Sequence, residues 1–429
     1  MRQEIPAEKL GPWGPAMAEA VQTCVHCGFC LPTCPTYRDL QQEPDSPRGR
    51  ILLMKEALEG KLPIVEALTH VDRCLGCLAC ETACPSGVKY GHLISPFRAH
   101  AEAERPRTLM DRLKRRLVFA TLPYPGRFRL AMRFGRATRF LRGLVPRPLR
   151  PMVDMVPDTL PPPIRLATRY PASGAVKGRV ALLAGCAQQV LDPEINAATI
   201  RVLNRNGIEV LVPAEQGCCG ALAWHVGESE RAKRAAIAMM SAMPDDVDAI
   251  VTNAAGCGSG MHEYPLLLEG TEHHERARRF AAKVKDISVV LQQFGIETPP
   301  AVRPTRVAYH DACHLAHAQG VRSAPRRLLA SIPGVELVEI RDGEICCGSA
   351  GTYNIDQPAI AERLGRDKAA AVRETECDIA AAGNIGCLVQ IRRQLAATGR
   401  AVPVEHPVVL LDRAYAGRSL IDGREPGAS

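Results

Sequence analysis

Two segments, "CVHCGFCLPTCP" and "CLGCLACETACP", constrain this chain more than anything else in it. Both read C-x2-C-x2-C-x3-C-P, and they repeat at an offset of 50 residues. They supply Cys24, Cys27, Cys30 and Cys34, then Cys74, Cys77, Cys80 and Cys84. Three thiols packed this closely wrap a compact inorganic core corner by corner, and the turn at proline carries the fourth away. Zinc sites usually pair two C-x2-C knuckles separated by about a dozen or more residues, so zinc fits this spacing poorly.

The spacing is that of bacterial ferredoxins, whose thiolates hold [4Fe–4S] clusters. In two-cluster ferredoxins the fourth cysteine of each run ligates the other cluster. This assigns Cys24, Cys27, Cys30 and Cys84 to one cluster, and Cys74, Cys77, Cys80 and Cys34 to the second. Gly28, Gly76 and Ala79 are small enough to let backbone N–H groups approach the sulfurs. Between the runs, Ser46 and Pro47 open a helix as N-cap and first helical residue, and Gly60 closes it. "LPIVEALTHVDRC" continues as a second helix. The expectation is a helical two-cluster ferredoxin domain over residues 1–100.

The chain has 17 cysteines. It lacks an apolar leader at its start and any apolar run of about 18 residues, so a cytoplasmic protein is expected, where thiols stay reduced. Nine cysteines remain beyond the two runs. Cys186, Cys218, Cys219 and Cys257 recur as Cys313, Cys346, Cys347 and Cys387, at offsets of 127, 128, 128 and 130. Only Cys377 stands apart, and it reads as a buried thiol. Adjacent Cα atoms lie about 3.8 Å apart, whereas disulfides want roughly 4.4–6.8 Å, so the neighbours Cys218–Cys219 and Cys346–Cys347 do not read as disulfides.

The regular offset means two copies of one domain. Each copy runs strand, helix, strand, CCG loop, helix, strand: "GRVALLAGC" and "TRVAYHDAC" begin the copies, "IEVLVP" and "VELVEI" follow, and "DAIVTNAAGC" and "CDIAAAGNIGC" end them. Alternating strands and helices predict a mostly parallel sheet, at whose carboxyl strand ends the four cysteines of each copy converge. His310, His314 and His317 fall at i, i+4 and i+7, which suits one side of a helix near Cys313. The commoner fate of such histidines is solvation or a hydrogen bond.

Residues 101–170 hold no cysteine and form a basic, Arg/Pro-rich linker with amphipathic helices. Over residues 98–150 there are 15 Lys or Arg against three acids. Leu113, Leu117, Leu130, Phe134 and Phe140 line apolar faces with arginines opposite, a pattern open to packing within the chain or on a subunit, to a membrane surface, or to nucleic acid. Aromatic residues are only 4% of the chain, which argues against base-stacking platforms. The overall expectation is an α+β multidomain chain: the ferredoxin part, the linker, and tandem α/β domains over 171–297 and 298–429.

The arrangement Cys…Cys-Cys-Gly…Cys, twice, resembles the cysteine-rich CCG domains of heterodisulfide reductase subunits and of iron–sulfur subunits of 2-hydroxyacid and glycerol-3-phosphate dehydrogenases. "CVHCGFCLPTCPTY", "PRGRI", "DRCLGCLACETACPSGVKYG", "LAGCAQ", "NAATIRVLNR", "GCCGA", "CCGSAGTY" and "NIGC" together resemble the glycolate oxidase iron–sulfur subunit family. The fullest CCG pattern ends in C-x-x-C, and Ala254 and Asn384 stand where its first cysteine would be. Each copy therefore offers four thiolates rather than five, which suits a cubane cluster, a zinc ion, or unligated structural thiols.

No G-x-G-x-x-G, P-loop or nucleophile elbow is present, so no flavin, nicotinamide or substrate site is expected in this chain. The resemblance implies an electron-transfer subunit of an oxidoreductase. An FAD-containing glycolate oxidase partner would carry out the hydride chemistry, and electrons would pass through two [4Fe–4S] clusters to a quinone or other acceptor. It also implies alternatives: the same subunit of a lactate or glycerol-3-phosphate dehydrogenase, or a heterodisulfide reductase-like thiol/disulfide enzyme. Attachment to the inner face of the cytoplasmic membrane is compatible with the basic linker, and no nucleic-acid partner is expected.

Overall fold

The computed structural model describes residues 4–399 and 402–421. The first hundred residues are helical: α1 (Gly14–Gln22), α2 (Pro35–Leu40), α3 (Pro47–Leu58), α4 (Ile64–Val71), α5 (Ala79–Thr82) and α6 (Gly91–Ala101). The capping expected for α3 is present. Ser46 Oγ accepts a hydrogen bond from the Gly49 N–H at 3.0 Å, and Gly60 turns the chain away at φ +72°.

The linker forms α7 (Leu109–Thr121) and α8 (Pro125–Ala137). Their inner side packs on the chain through Val118, Phe119 and Phe128, and Arg115 pairs with Glu228 at 2.7 Å. Their outer side does not. Leu130, Phe134, Phe140 and Leu144 are 68–82% exposed.

The rest is two sheets of matching order. The first has β1 (Arg169–Tyr170), β2 (Gly178–Leu182), β3 (Ile208–Leu211), β4 (Ala249–Thr252) and β5 (Val284–Asp286), ordered β1-β3-β2-β4-β5. The second has β6 (Thr305–His310), β7 (Val335–Glu339), β8 (Ile379–Ala382) and β9 (Val404–Glu405), ordered β7-β6-β8-β9. All pairings are parallel except β1 with β3. In each sheet the first strand of the copy, β2 or β6, lies between the second and the third, the switch point at which α/β sheets open a crevice.

Alternation along β2 divides the first sheet between two cores. Val180 and Leu182 face a core shared with Val307, Tyr309 and Ile379 of the second copy. Ala181 and Leu183 face the ferredoxin helices, where Trp13 and Trp224 meet with ring centroids 5.3 Å apart. The copies also interlock at the end of the chain. Asp412, on the last helix, takes both guanidinium nitrogens of Arg201 from the first copy at 2.9 and 2.7 Å.

Candidate metal centres

The first tetrad loop leaves α1 and enters α2, with Cys34 as the N-cap position and Pro35 at the first helical residue. The second leaves α4 and is interrupted by the single turn of α5. Both loops make the same bends. Residues 26 and 28 take positive φ, and so do residues 76 and 78. Glycine occupies the second of these slots in one loop (Gly28, φ +89°) and the first in the other (Gly76, φ +65°), leaving His26 and Leu78 in left-handed conformations. The bend brings the Gly76 N–H to 3.3 Å from the Cys74 sulfur.

Cys24, Cys27, Cys30 and Cys84 line one cavity, and Cys34, Cys74, Cys77 and Cys80 line a second. Cys80, Pro47 and Tyr90 border both, so the two cavities share a wall. Burial pushes the Cys30 thiol up to about 11 and raises Cys24. It also pushes Cys77 and Cys80 well up, with neighbouring thiols adding to the effect. Loading such a site with metal must therefore expel protons. With Cys80 counted to the second cavity, each offers four sulfurs, the number of donors a cubane cluster takes.

Arg50 is a residue that the sequence reading missed. It is 1% exposed and donates to Thr36 Oγ1 at 2.9 Å, to the His70 carbonyl at 2.8 Å and to Asp45 at 3.3 Å, with Nη1 3.8 Å from the Cys34 sulfur. It places a permanent positive charge on the wall of the second cavity. A wider cleft of about 440 Å³ opens beside Cys74, lined among others by Arg98, Arg115, His225, His314 and Tyr353.

The CCG sets assemble at the strand ends. In the first copy, Cys186 and Cys218 lie 3.7 Å apart, and Cys257 sits in the first turn of the helix after β4. In the second, Cys313 and Cys346 lie 3.8 Å apart, and Cys387 occupies the corresponding turn after β8. Hydrogen bonds from neighbouring thiols hold Cys218 well below its ordinary value in one copy. In the other copy it is Cys347 that they hold low. Asn384 donates to the Cys387 sulfur at 3.5 Å and accepts from the Gly256 N–H at 3.3 Å, joining the two copies at their strand ends.

The second copy also touches the ferredoxin part. Cys77, Leu75, Cys313, Cys346 and Tyr353 belong to one buried cluster. The Tyr353 hydroxyl donates to the Arg73 carbonyl at 2.7 Å. His314 and His317 are hydrogen-bonded, as expected: His314 to Gly76, and His317 to the Glu344 carbonyl and the Thr82 hydroxyl. The shared helix face expected for the three histidines does not exist. His310 ends β6, and a π-helical turn begins only at His314. Cys377 is buried, 4% exposed.

The comparisons with known proteins follow this geometry. A 4Fe-4S dicluster domain model matches residues 20–88, and a cysteine-rich CCG domain model matches residues 180–262 and 307–392. The chain is 38% identical over 397 residues to the probable glycolate oxidase iron-sulfur subunit of Bacillus subtilis (strain 168), covering 86% of this chain and 88% of that protein. It is 35% identical over 399 residues to the glycolate oxidase iron-sulfur subunit of Escherichia coli (strain K12), covering 92% and 94%. The chain belongs to the glycolate oxidase iron–sulfur subunit family.

Family membership accounts for the layout: a two-cluster ferredoxin part followed by paired CCG domains. Similarity to lactate utilization protein A of Geobacillus kaustophilus (strain HTA426) is 33% over 236 residues, 54% of this chain and 98% of that protein. That relative lacks a counterpart for nearly half of the chain. Among the described residues, no helix is long and apolar enough to cross a membrane.

Proposed function

We propose that this chain is the iron–sulfur electron-transfer subunit of a flavin-dependent 2-hydroxyacid dehydrogenase, with glycolate as the substrate of its partner flavoprotein. One observation carries the reading: two adjoining cavities whose cysteines are drawn crosswise from the two loops, with Cys80 on the wall they share. In this reading Cys24, Cys27, Cys30 and Cys84 would hold one [4Fe–4S] cluster, and Cys34, Cys74, Cys77 and Cys80 the other. When bound, such clusters carry electrons one at a time, at potentials set by hydrogen bonds to sulfur, charge and solvent exposure.

The chain's own residues provide those settings. The Gly76 N–H and the Tyr90 hydroxyl point at the Cys74 sulfur. The guanidinium of Arg50 favours an electron arriving at the second cavity. Oxidising the hydroxyacid to the 2-oxoacid releases two electrons and two protons, and that step belongs to the partner's FAD. This chain receives the electrons singly and passes them toward a quinone or another acceptor. The four-thiol CCG sets at Cys186, Cys218, Cys219 and Cys257, and at Cys313, Cys346, Cys347 and Cys387, are candidates for a further centre.

The exposed apolar residues of α8 and the turns after it, interleaved with Arg127, Arg133, Arg136, Arg139 and Arg142, suit docking on an anionic membrane surface from the cytoplasmic side. We keep 1–100, 101–170, 171–297 and 298–429 as working domain boundaries; both chain ends lie outside the described residues.

Anaerobic purification with iron analysis and EPR tests the electron-transfer reading. About eight iron atoms per chain and two interacting reduced clusters are expected. A colourless, iron-free preparation overturns it. Purification of the native complex, assayed with glycolate, lactate and glycerol-3-phosphate, tests the substrate. Activity confined to one of the other two would replace glycolate, and absence of any co-purifying flavoprotein would end the subunit reading.

A further inference from the structure

The two CCG copies share a strand order but not their chemistry. His310, at the end of β6, is fully buried at 0% exposure. Its Nδ1 lies 2.9 Å from the Gly343 carbonyl oxygen. A carbonyl only accepts, so Nδ1 carries the proton and Nε2 presents a bare lone pair. That Nε2 is buried, and among the described residues no nitrogen or oxygen group is hydrogen-bonded to it, the Cys347 thiol being the neighbour it faces. A ring nitrogen of His310 and the sulfurs of Cys347 and Cys387 all lie within 4.8 Å of one another. A histidine whose other nitrogen donates to a backbone carbonyl is oriented as metal-ligating histidines usually are.

A second residue points the same way. Lys368 is 4% exposed, and among the described residues its ammonium donates to the carbonyls of Asp342 and Gly343, at 2.5 and 3.3 Å. A buried ammonium is costly unless negative charge lies nearby, and the Asp342 carboxylate and the sulfurs of Cys347 and Cys346 are among the groups that act on it. The Cys346–Cys347 pair would add to that charge once a metal displaced its protons. Lys368 also pins the carbonyl that fixes His310.

The first copy has neither group. The offset of 127 between Cys186 and Cys313 aligns His310 with Leu183, which is 2% exposed. Gly220 packs on Ala232 and Gly348 on Ala361, an offset of 129 that aligns Lys368 with Met239, 1% exposed. Two buried apolar residues thus replace a nitrogen donor and a cation.

We propose that the second CCG site is a mixed sulfur–nitrogen metal centre in which His310 Nε2 ligates a thiophilic metal, zinc or cluster iron, together with Cys347 and Cys387. The first site, lacking the nitrogen, is not its equivalent. Cys346 and Cys313, next in line, extend the sulfur donors. The inference builds on the electron-transfer reading but is measured apart from it, because the iron of the dicluster part is counted separately.

The test uses the full-length chain purified anaerobically. Zinc and iron are quantified, and the metal in excess of about eight irons per chain is probed in place. Zinc is read by K-edge absorption, where a nitrogen shell at about 2.0–2.1 Å beside sulfur is expected. Extra iron is read by pulsed EPR, where imidazole 14N hyperfine coupling is expected. In His310→Leu, which installs the first copy's residue, the nitrogen signal should vanish and the excess metal fall at least several-fold, while the dicluster iron and its EPR signal persist. Lys368→Met should weaken retention of the excess metal with the nitrogen signal preserved on what remains. No metal beyond the dicluster iron, an all-sulfur shell in the native chain, or a nitrogen signal that survives His310→Leu overturns the proposal. The native measurement decides the matter should either variant fail to fold.

Discussion

The Nε2 of His314 donates to the carbonyl oxygen of Gly76 at 3.0 Å. The bond joins the residue after Cys313 to the loop between Cys74 and Cys77, and with those of Tyr353 to Arg73 and His317 to Thr82 it ties the second CCG site to the second ferredoxin loop. The His314 ring also meets His225 of the first copy edge-on at 5.2 Å. Three parts of the chain converge on this imidazole.

Replacing His314 with Ala should therefore loosen a junction rather than a domain. The lost hydrogen bond is worth about 1 kcal/mol. Amide hydrogen exchange should quicken in residues 74–78 and 313–318 together, while iron content is retained. Faster exchange in only one of the two segments would mean that the bond does not couple them.

The crossed cavities predict unequal partners for two conservative changes. Cys84→Ser should disturb the centre lined by Cys24, Cys27 and Cys30, and Cys34→Ser the centre lined by Cys74, Cys77 and Cys80. Each should lose up to about four irons and abolish the spin coupling between reduced clusters. EPR of the double variants Cys84→Ser/Cys27→Ser and Cys84→Ser/Cys77→Ser distinguishes crossing from its absence. The first should spare one cluster and the second should damage both.

Arg50→Met removes a buried cation while leaving Asp45, which keeps Arg73 at 2.8 Å. Breaking a buried pair of this kind costs roughly 3 kcal/mol, seen as a lower apparent Tm. The midpoint potential of the centre beside Cys34 should fall, because a negative electron is no longer met by the guanidinium. An unchanged potential in redox titration would remove Arg50 from the electron-transfer account.

His406 caps the last helix by accepting from the Val408 N–H at 3.2 Å. Burial lowers its pKa from 6.5 to about 4. The folded state thus binds this proton less readily than the unfolded chain. Its contribution is complete above pH 6.5 and is lost progressively as the pH falls toward 4, amounting to about 3 kcal/mol. Hydrogen exchange in Pro407–Tyr415 should accelerate between pH 7 and 5, after correction for intrinsic rates. His406→Asn, which keeps a capping acceptor, should flatten that dependence.

Phe134→Glu combined with Phe140→Glu should abolish binding to vesicles containing anionic lipid without altering iron content. Wild-type binding should weaken as salt is raised, since screening shortens the reach of the arginines to about 3 Å at 1 M. Binding that is equal on neutral vesicles would remove the electrostatic component.

The ferredoxin loops were legible because a metal core demands local spacing, and the CCG copies because a duplicated set of eight cysteines keeps its offset. β5 and β9 were not, since three and two residues are too short for a period of two to register. Arg50 in "PRGRI" reads as a solvated charge, and only the folded chain brings Thr36, Asp45 and Cys34 to it. His310 reads in sequence as an ordinary histidine, because i, i+4, i+7 spacing suggests a helix where the chain is a strand followed by a π-helical turn. The linker offered several readings, and the fold divides them by face: Val118, Phe119 and Phe128 pack inward while Phe134 and Phe140 look outward.

The wall that the two ferredoxin cavities share bears on biogenesis. Each cavity draws on cysteines from both loops, so neither loop alone can complete either one. A nascent polypeptide that has emerged only as far as Cys34 exposes four thiols that the fold divides between two cavities. The cavity beside Cys34 gains its last cysteine at Cys80 and the other at Cys84, so neither can be filled before the second loop is made and the intervening helices have closed. Chains truncated or stalled between the two loops should therefore emerge without a correctly built cluster.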